Sequence, residues 1–132
     1  MSQENVEVVK RLYEAWQREG FGVVPELMDP EIEWVNPAHA VEPGIRRGYE
    51  EFADAAQSFT SVYRESRVID ATFVDAGDRI AVKAHMRSLG AGTEFPIGAQ
   101  RGYVFDVRDG KVTRFEWFMH PSEAVEAVGL EE

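Results

Sequence analysis

The spacing of apolar residues changes near residue 62 of this chain, and that change limits the folds open to it. Before it, residues 1–19 and 49–60 place apolar side chains three or four apart, which predicts two amphipathic helices. Beyond it, apolar and polar residues alternate in four long segments, which predicts strands. These segments are residues 62–75, 79–89, 94–108 and 111–120.

Shorter signals complete the order of elements. We predict a short helix over residues 25–28, a strand over 31–36, a loop over 37–48 and a tail helix over 121–129. Helices followed by a run of strands are typical of an α+β fold. The sequence therefore predicts one domain, residues 1–132, with helices on one face of a strongly curved, mostly antiparallel mixed sheet that encloses a pocket.

Composition narrows the classes of partner. The net charge of −10 disfavours binding to nucleic acid and to anionic membranes. The chain has no cysteine, which excludes disulfides and thiolate metal sites. The first residues show no signal-peptide pattern, so we expect a cytoplasmic protein.

Alternation also assigns the faces of the strands. On residues 94–108 the covered face carries Arg101 and Tyr103 among apolar neighbours, and on 111–120 it carries Thr113. A buried arginine needs a partner, which is either a protein carboxylate or an anion or carbonyl of a ligand. We predict a mostly apolar binding pocket. Its walls are Trp16, Trp34, Asn36, Phe52, Met86, Arg101, Tyr103, Phe115, Trp117 and Met119.

The opposite face of the last strands carries Val104, Val112 and Phe118. Exposed apolar side chains on a sheet suggest a contact between identical subunits, so we expect a homodimer through this outer face.

Several segments together resemble the SnoaL-like proteins of the NTF2-like superfamily over nearly the whole chain. They are NVEVVKRLYEAW, DPEIEWVNP, GIRRGYEEF, AGDRIAV, YVFDVRDGKVTRFEWF and SEAVEAVGL. The resemblance implies a cone with three N-terminal helices and a bent mixed sheet, and often a homodimer through the outer face of that sheet.

The resemblance extends to enzymes whose catalytic residues are replaced here. Where the ketosteroid isomerases place an aspartate base, this chain has Asn36, and an amide is no base near neutral pH. Their oxyanion-binding tyrosine corresponds to Leu12, with Tyr13 adjacent, and their protonated aspartate falls near Tyr103.

The epoxide hydrolases of the same superfamily hold a water with a Tyr-x-Asn pair, to which Trp34-x-Asn36 is similar. Their two aspartates correspond to Met86 and Trp117, and their arginine to Ala84. The carboxylates that would activate water are therefore missing. A slip of one residue along 79–89 would bring His85 into the pocket.

The histidines His39, His85 and His120 do not have metal-ligand spacing, and we expect neither a metal nor another cofactor. Three functions stay open. The first is binding of a small apolar, polyketide-like or steroid-like molecule without catalysis. The second is an isomerase, cyclase or hydrolase that uses His39, Tyr103 or Arg101. The third is a structural homodimer without a ligand.

Overall fold

The computed structural model describes residues 2–36, 44–90 and 96–129, without the side chains of residues 2, 59–69, 86–90 and 96–99. The chain begins with helix α1, Ser2–Glu19, whose apolar stripe is buried as its periodicity predicts. Gly20 adopts φ 95° and its N–H donates to the carbonyl of Trp16 at 2.9 Å, which ends the helix.

Six strands form one open mixed sheet in the order β2-β1-β6-β5-β4-β3. All neighbouring strands are antiparallel except β1 and β6, which are parallel. The elements after α1 are β1 Met28–Asn36, β2 Gly44–Arg47, α2 Gly48–Val62, β3 Tyr63–Asp75, β4 Arg79–Gly90, β5 Pro96–Arg108, β6 Lys111–Phe118 and α3 Pro121–Ala127. The predicted α+β class is confirmed.

Two local predictions are wrong. Residues 25–28 do not form a helix: residues 25–27 form a turn, and Met28 begins β1. The carbonyl of Leu27 accepts a hydrogen bond from the N–H of Val112 at 2.8 Å, so the sheet already uses this backbone. Strand β2 lies within the segment predicted as a loop. The sequence gives no signal for it, because this edge strand is exposed on both faces and shows no alternation.

Helices α1 and α2 cover one face of the sheet, which we call the inner face. Between them and the strands lies the main core, in which Leu12, Phe52 and Phe105 are almost completely buried. Aromatic rings fill much of this core: Tyr13, for example, contacts the rings of Trp16, Phe73 and Phe105 at centroid distances of 5.5–5.8 Å.

Helix α3 packs on the opposite, outer face. The expectation that the helices share one face is therefore wrong. The expectation of three N-terminal helices is also wrong, because α3 follows the last strand. Ala124 and Val125 of α3 form a second cluster with Ala81 and Val104. The close approach requires glycine at position 102, because a Cβ there would lie 2.8 Å from the Cβ of Ala124 and 2.9 Å from the carbonyl oxygen of His120.

The apolar surface expected for a dimer is therefore largely covered within the chain. Val104 is 1% exposed beneath α3, and Phe118 is half-buried against the same cluster. Val112 is fully buried in the main core. A homodimer stays a prediction, but Val104 and Val112 do not supply an exposed contact for it.

A β-bulge explains why Val112 points inward. The pairing of β5 with β6 shifts there, so that Asp106 lies opposite Arg114 while Val107 lies opposite Val112. Thr113 is the extra residue, and its hydroxyl donates to the carbonyl of Asp106 at 3.3 Å. The predicted faces of Val112 and Thr113 are both wrong for this reason, whereas Phe115 lies on the predicted face.

Within the described ranges, no helix combines the length and the apolar character that crossing a membrane requires.

We expect Gly102→Ala to destabilise the fold by about 1–3 kcal/mol, because the added methyl group would overlap the backbone and side chains of α3. Urea unfolding of the variant measures the loss. Gly22→Ala is the matched control, since a Cβ at that position meets nothing within 4 Å. Equal stability of both variants with the unaltered chain would show that α3 does not pack this closely.

Candidate functional site

The inner face of the sheet presents its side chains in lateral rows, because residues paired across neighbouring strands lie side by side. The first row, here called the floor row, crosses four strands. Pairing aligns Trp34 with Phe115, Phe115 with Phe105, and Phe105 with Ile80. All four are buried, and the Phe115 ring lies 5.0 Å from that of Trp34 and 5.2 Å from that of Phe105. The floor row closes the core at this level.

The next row, the middle row, combines apolar and polar groups. Trp117 lies opposite Tyr103, Tyr103 opposite Val82, and Val82 opposite Phe73. The Tyr103 ring stacks on Phe115 of the floor row, with centroids 5.4 Å apart and an interplanar angle of 23°. Trp117 is only half-buried, so solvent reaches this level of the inner face.

Asn36 lies at the β1 end of the middle row. Its Oδ1 accepts one hydrogen bond from Nε1 of Trp34 at 2.6 Å and a second from Nε1 of Trp117 at 2.7 Å. An amide oxygen has two lone pairs, and both are engaged by these indoles. Asn36 is therefore a structural acceptor between two strands and has no proton-abstracting group.

The third row, the open row, has small side chains and one charge. Arg101 lies opposite Ala84, and Ala84 opposite Ala71. Arg101 is half-buried, and its Nη1 donates to the carbonyl of Gln100 at 2.8 Å. Two alanines stand here where the rows below carry aromatic rings, and Arg101 and Ala71 are partly exposed.

Two tyrosines give this region its ionisation behaviour. Burial raises the pKa of Tyr103, and the nearby positive charge of Arg101 opposes that shift only in part. Burial also raises the pKa of Tyr13 well above its usual value, and Tyr103 adds to the shift. Both phenols are neutral at physiological pH and can donate a hydrogen bond.

The structure brings together most of the predicted pocket residues. Trp16, Trp34, Phe52 and Phe115 belong to the aromatic core or pack against it. Asn36, Tyr103, Trp117 and Arg101 follow in the middle and open rows, and Met119 is half-buried just beyond β6.

Of the remaining candidates, Met86 has only its backbone described, in β4, and His39 lies outside the described residues. His85 is exposed while its neighbour Ala84 is buried, so strand β4 does not slip to turn the histidine inward. His120 is exposed before α3, and its N–H donates to the carboxylate of Glu123 at 3.1 Å.

Sequence reasoning missed two contributors to this face. Tyr13 is not among the predicted pocket residues, although its position four residues after Val9 is a helical signal for the same apolar face. Phe21 lies in the connection after α1, and its ring contacts Trp16 at 4.7 Å and Trp34 at 5.6 Å. No periodic pattern marks a loop residue of this kind.

The outer face has an open groove of about 800 Å³, but its walls are charged. Arg47 forms an ion pair with Glu33, and Arg114 lies 3.9 Å from both Glu33 and Glu116. This groove lies across the sheet from the aromatic rows and does not match the apolar pocket that the sequence predicts. Among the residues with described side chains, no cluster of His, Asp and Glu could hold a metal ion.

Comparisons with known proteins agree with this architecture. A family model described as a SnoaL-like domain matches residues 9–115. No curated protein sequence matches the chain significantly.

Solved structures with the same fold include an NTF2-like protein of unknown function from Burkholderia pseudomallei, at 20% identity and TM-score 0.76, covering 96% of this chain and 98% of that one. TerC, co-crystallised with polyporic acid, is 23% identical at TM-score 0.72 and covers 95% and 98%. A proposed SnoaL-like polyketide cyclase from Jannaschia sp. CCS1 is 16% identical at TM-score 0.71 and covers 89% and 85%. At these identities the likeness shows the fold alone.

The raised pKa of Tyr103 predicts a loss of stability at alkaline pH. Above pH about 10 the unfolded chain ionises this phenol while the folded chain does not, so the free energy of unfolding falls by about 1.4 kcal/mol per pH unit for that one group. Tyr103→Phe should remove this contribution and flatten the dependence. Urea unfolding between pH 9 and 11 tests it, with pH 8 as the baseline for each protein. Identical slopes in both proteins would contradict the burial of the phenol.

Proposed function

Because the chain belongs to the SnoaL-like family, we propose that it binds a small, flat, largely apolar molecule at the open row of its inner face. The observation that carries the proposal is the pair formed by Arg101 and Tyr103. A half-buried guanidinium stands beside a buried phenol, at the point where the aromatic packing gives way to Ala84 and Ala71.

The inner face changes from sealed aromatic packing in the floor row to partly exposed side chains in the open row, which supports a ligand at the open row. The floor row is sealed by touching rings, whereas the open row exposes Arg101 and Ala71 in part. Ligand sites in proteins are mostly apolar concavities with a few placed polar groups, which is the composition found here. The Tyr103 and Trp117 side chains of the middle row would form the base of the site.

The polar groups favour one kind of ligand chemistry. Arginine only donates hydrogen bonds, and the neutral Tyr103 phenol can donate another. A carbonyl, enolate or carboxylate oxygen attached to an aromatic system would satisfy both while its rings cover the middle row. Polyporic acid, an aryl-substituted dihydroxyquinone with which TerC was co-crystallised, has this chemistry and serves as the probe.

The three rows favour binding over catalysis by proton transfer. None of the side chains that form them is a carboxylate or an imidazole, and the Asn36 oxygen is engaged by two indoles. General acid–base catalysis needs a group that changes protonation near neutral pH. The hydroxyls of Tyr13 and Tyr103 stay protonated in that range.

We expect polyporic acid to bind with saturable heat in isothermal titration calorimetry, and Arg101→Gln to weaken that binding about tenfold or more, because a hydrogen bond to a charged group is lost. Arg108→Gln is the matched control: it removes an exposed arginine from the same strand, far from the open row, and should leave the affinity unchanged.

Two results would contradict the proposal. Equal losses in the Arg101 and Arg108 variants would reveal a general charge effect rather than a site. Conversion of polyporic acid to a product of different mass during incubation with the protein would favour an enzyme, and the binding proposal would then be replaced.

A further inference from the structure

Asn36 connects two indoles that differ in how firmly the core holds them. Trp34 is 5% exposed, and rings of Phe21, Phe52 and Phe115 surround it at centroid distances of 5.0–5.6 Å. Trp117 is half-buried in the middle row. Both donate to the same oxygen, at 2.6 and 2.7 Å.

This arrangement fixes the orientation of the Asn36 amide. An indole has a single N–H donor and no acceptor. A flipped amide would place its own NH₂ group against two N–H groups, so only one orientation satisfies both tryptophans. Trp34 and Asn36 are two apart on β1 and share a face, and the parallel register that aligns Val35 with Glu116 brings Asn36 beside Trp117.

We propose that Asn36 is a positioning residue that ties the half-buried Trp117 to the immobile Trp34, so that Trp117 presents one fixed indole face to the ligand. The inference rests on the proposed function and adds a selectivity to it. A fixed indole face favours flat aromatic rings, which stack on it, over molecules that are bent or branched. Asn36 acts through Trp117 and not through contact of its oxygen with the ligand.

The three tryptophans allow a test that needs no ligand. In a ¹H–¹⁵N spectrum each indole N–H gives one signal, and Nε1 of Trp16 donates elsewhere, to the carbonyl of Gly22 at 2.9 Å. Asn36→Leu should move the Trp34 and Trp117 signals upfield together and speed their exchange with solvent about tenfold, with the larger effect at Trp117. The Trp16 signal should stay in place.

Asn36→Asp keeps an acceptor and covers the case in which the leucine variant fails to fold. Its charged oxygen makes stronger hydrogen bonds, so both signals should move downfield together. Asn5→Leu is the matched control, because the other asparagine of the chain donates to Gly77 on a distant loop and should leave all three signals unchanged. Movement of the Trp34 signal alone would overturn the inference.

A double-mutant cycle with polyporic acid tests the link to binding. Asn36→Leu and Trp117→Phe should each weaken binding about fivefold, and the double variant should be no weaker than either single variant, because both act through one ring. Additive losses would mean that Asn36 touches the ligand directly and would overturn the inference. If polyporic acid does not bind the unaltered protein, the proposed function fails, and the two indole signals alone decide whether Asn36 holds Trp117.

Discussion

The parallel pairing of β1 with β6 is the contact on which the inner face depends. It joins a strand from the first third of the chain to the last strand, across about eighty residues, and so places Trp34 beside Phe115 and Asn36 beside Trp117. Parallel strands require a long connection. Here that connection contains β2, α2 and the strands β3, β4 and β5, and these three strands complete the sheet on the other side of β6. Without this pairing neither the floor row nor the bond between Asn36 and the two indoles would form.

The phenols of the inner face do not ionise near neutral pH, and this determines the polar chemistry of that face. Burial keeps Tyr13 and Tyr103 neutral, and the Arg101 guanidinium lies half-buried beside Tyr103 on the same face. Arg47 with Glu33 and Arg79 with Asp106 form ion pairs between partly exposed side chains, where charges remain hydrated. The sheet thus separates a weakly ionisable aromatic side from a strongly charged side.

Much of the fold follows from periodicity, and the errors have physical causes. Alternation places Ile80, Val82, Tyr103 and Phe105 on the correct face, because β4 and β5 pair without interruption. It fails at Val112 and Thr113, where a bulge adds one residue that no pattern announces. It also fails at β2, whose four residues form a strand only because β1 offers them an edge.

The candidate site was predictable only as a set of residue types. Trp34, Asn36, Tyr103 and Trp117 were all expected near a pocket, yet the bonds that join Asn36 to both indoles depend on a register between distant strands. Helix α3 shows the same limit, since its own sequence predicts a helix but gives no sign of the face it covers. Gly102, which has no side chain, lets α3 pack this closely on the sheet. A glycine within a strand gives only a weak sequence signal of such a close approach.

The floor row has a consequence for how such a chain can change over time. Its touching rings lie beneath the middle and open rows, in which Trp117, Arg101 and Ala71 are partly exposed. Replacing Arg101 would change the charge of the open row without altering the rings of the floor row. Substitutions in the open row can therefore change the polar groups of the inner face while the aromatic packing of the floor row stays the same.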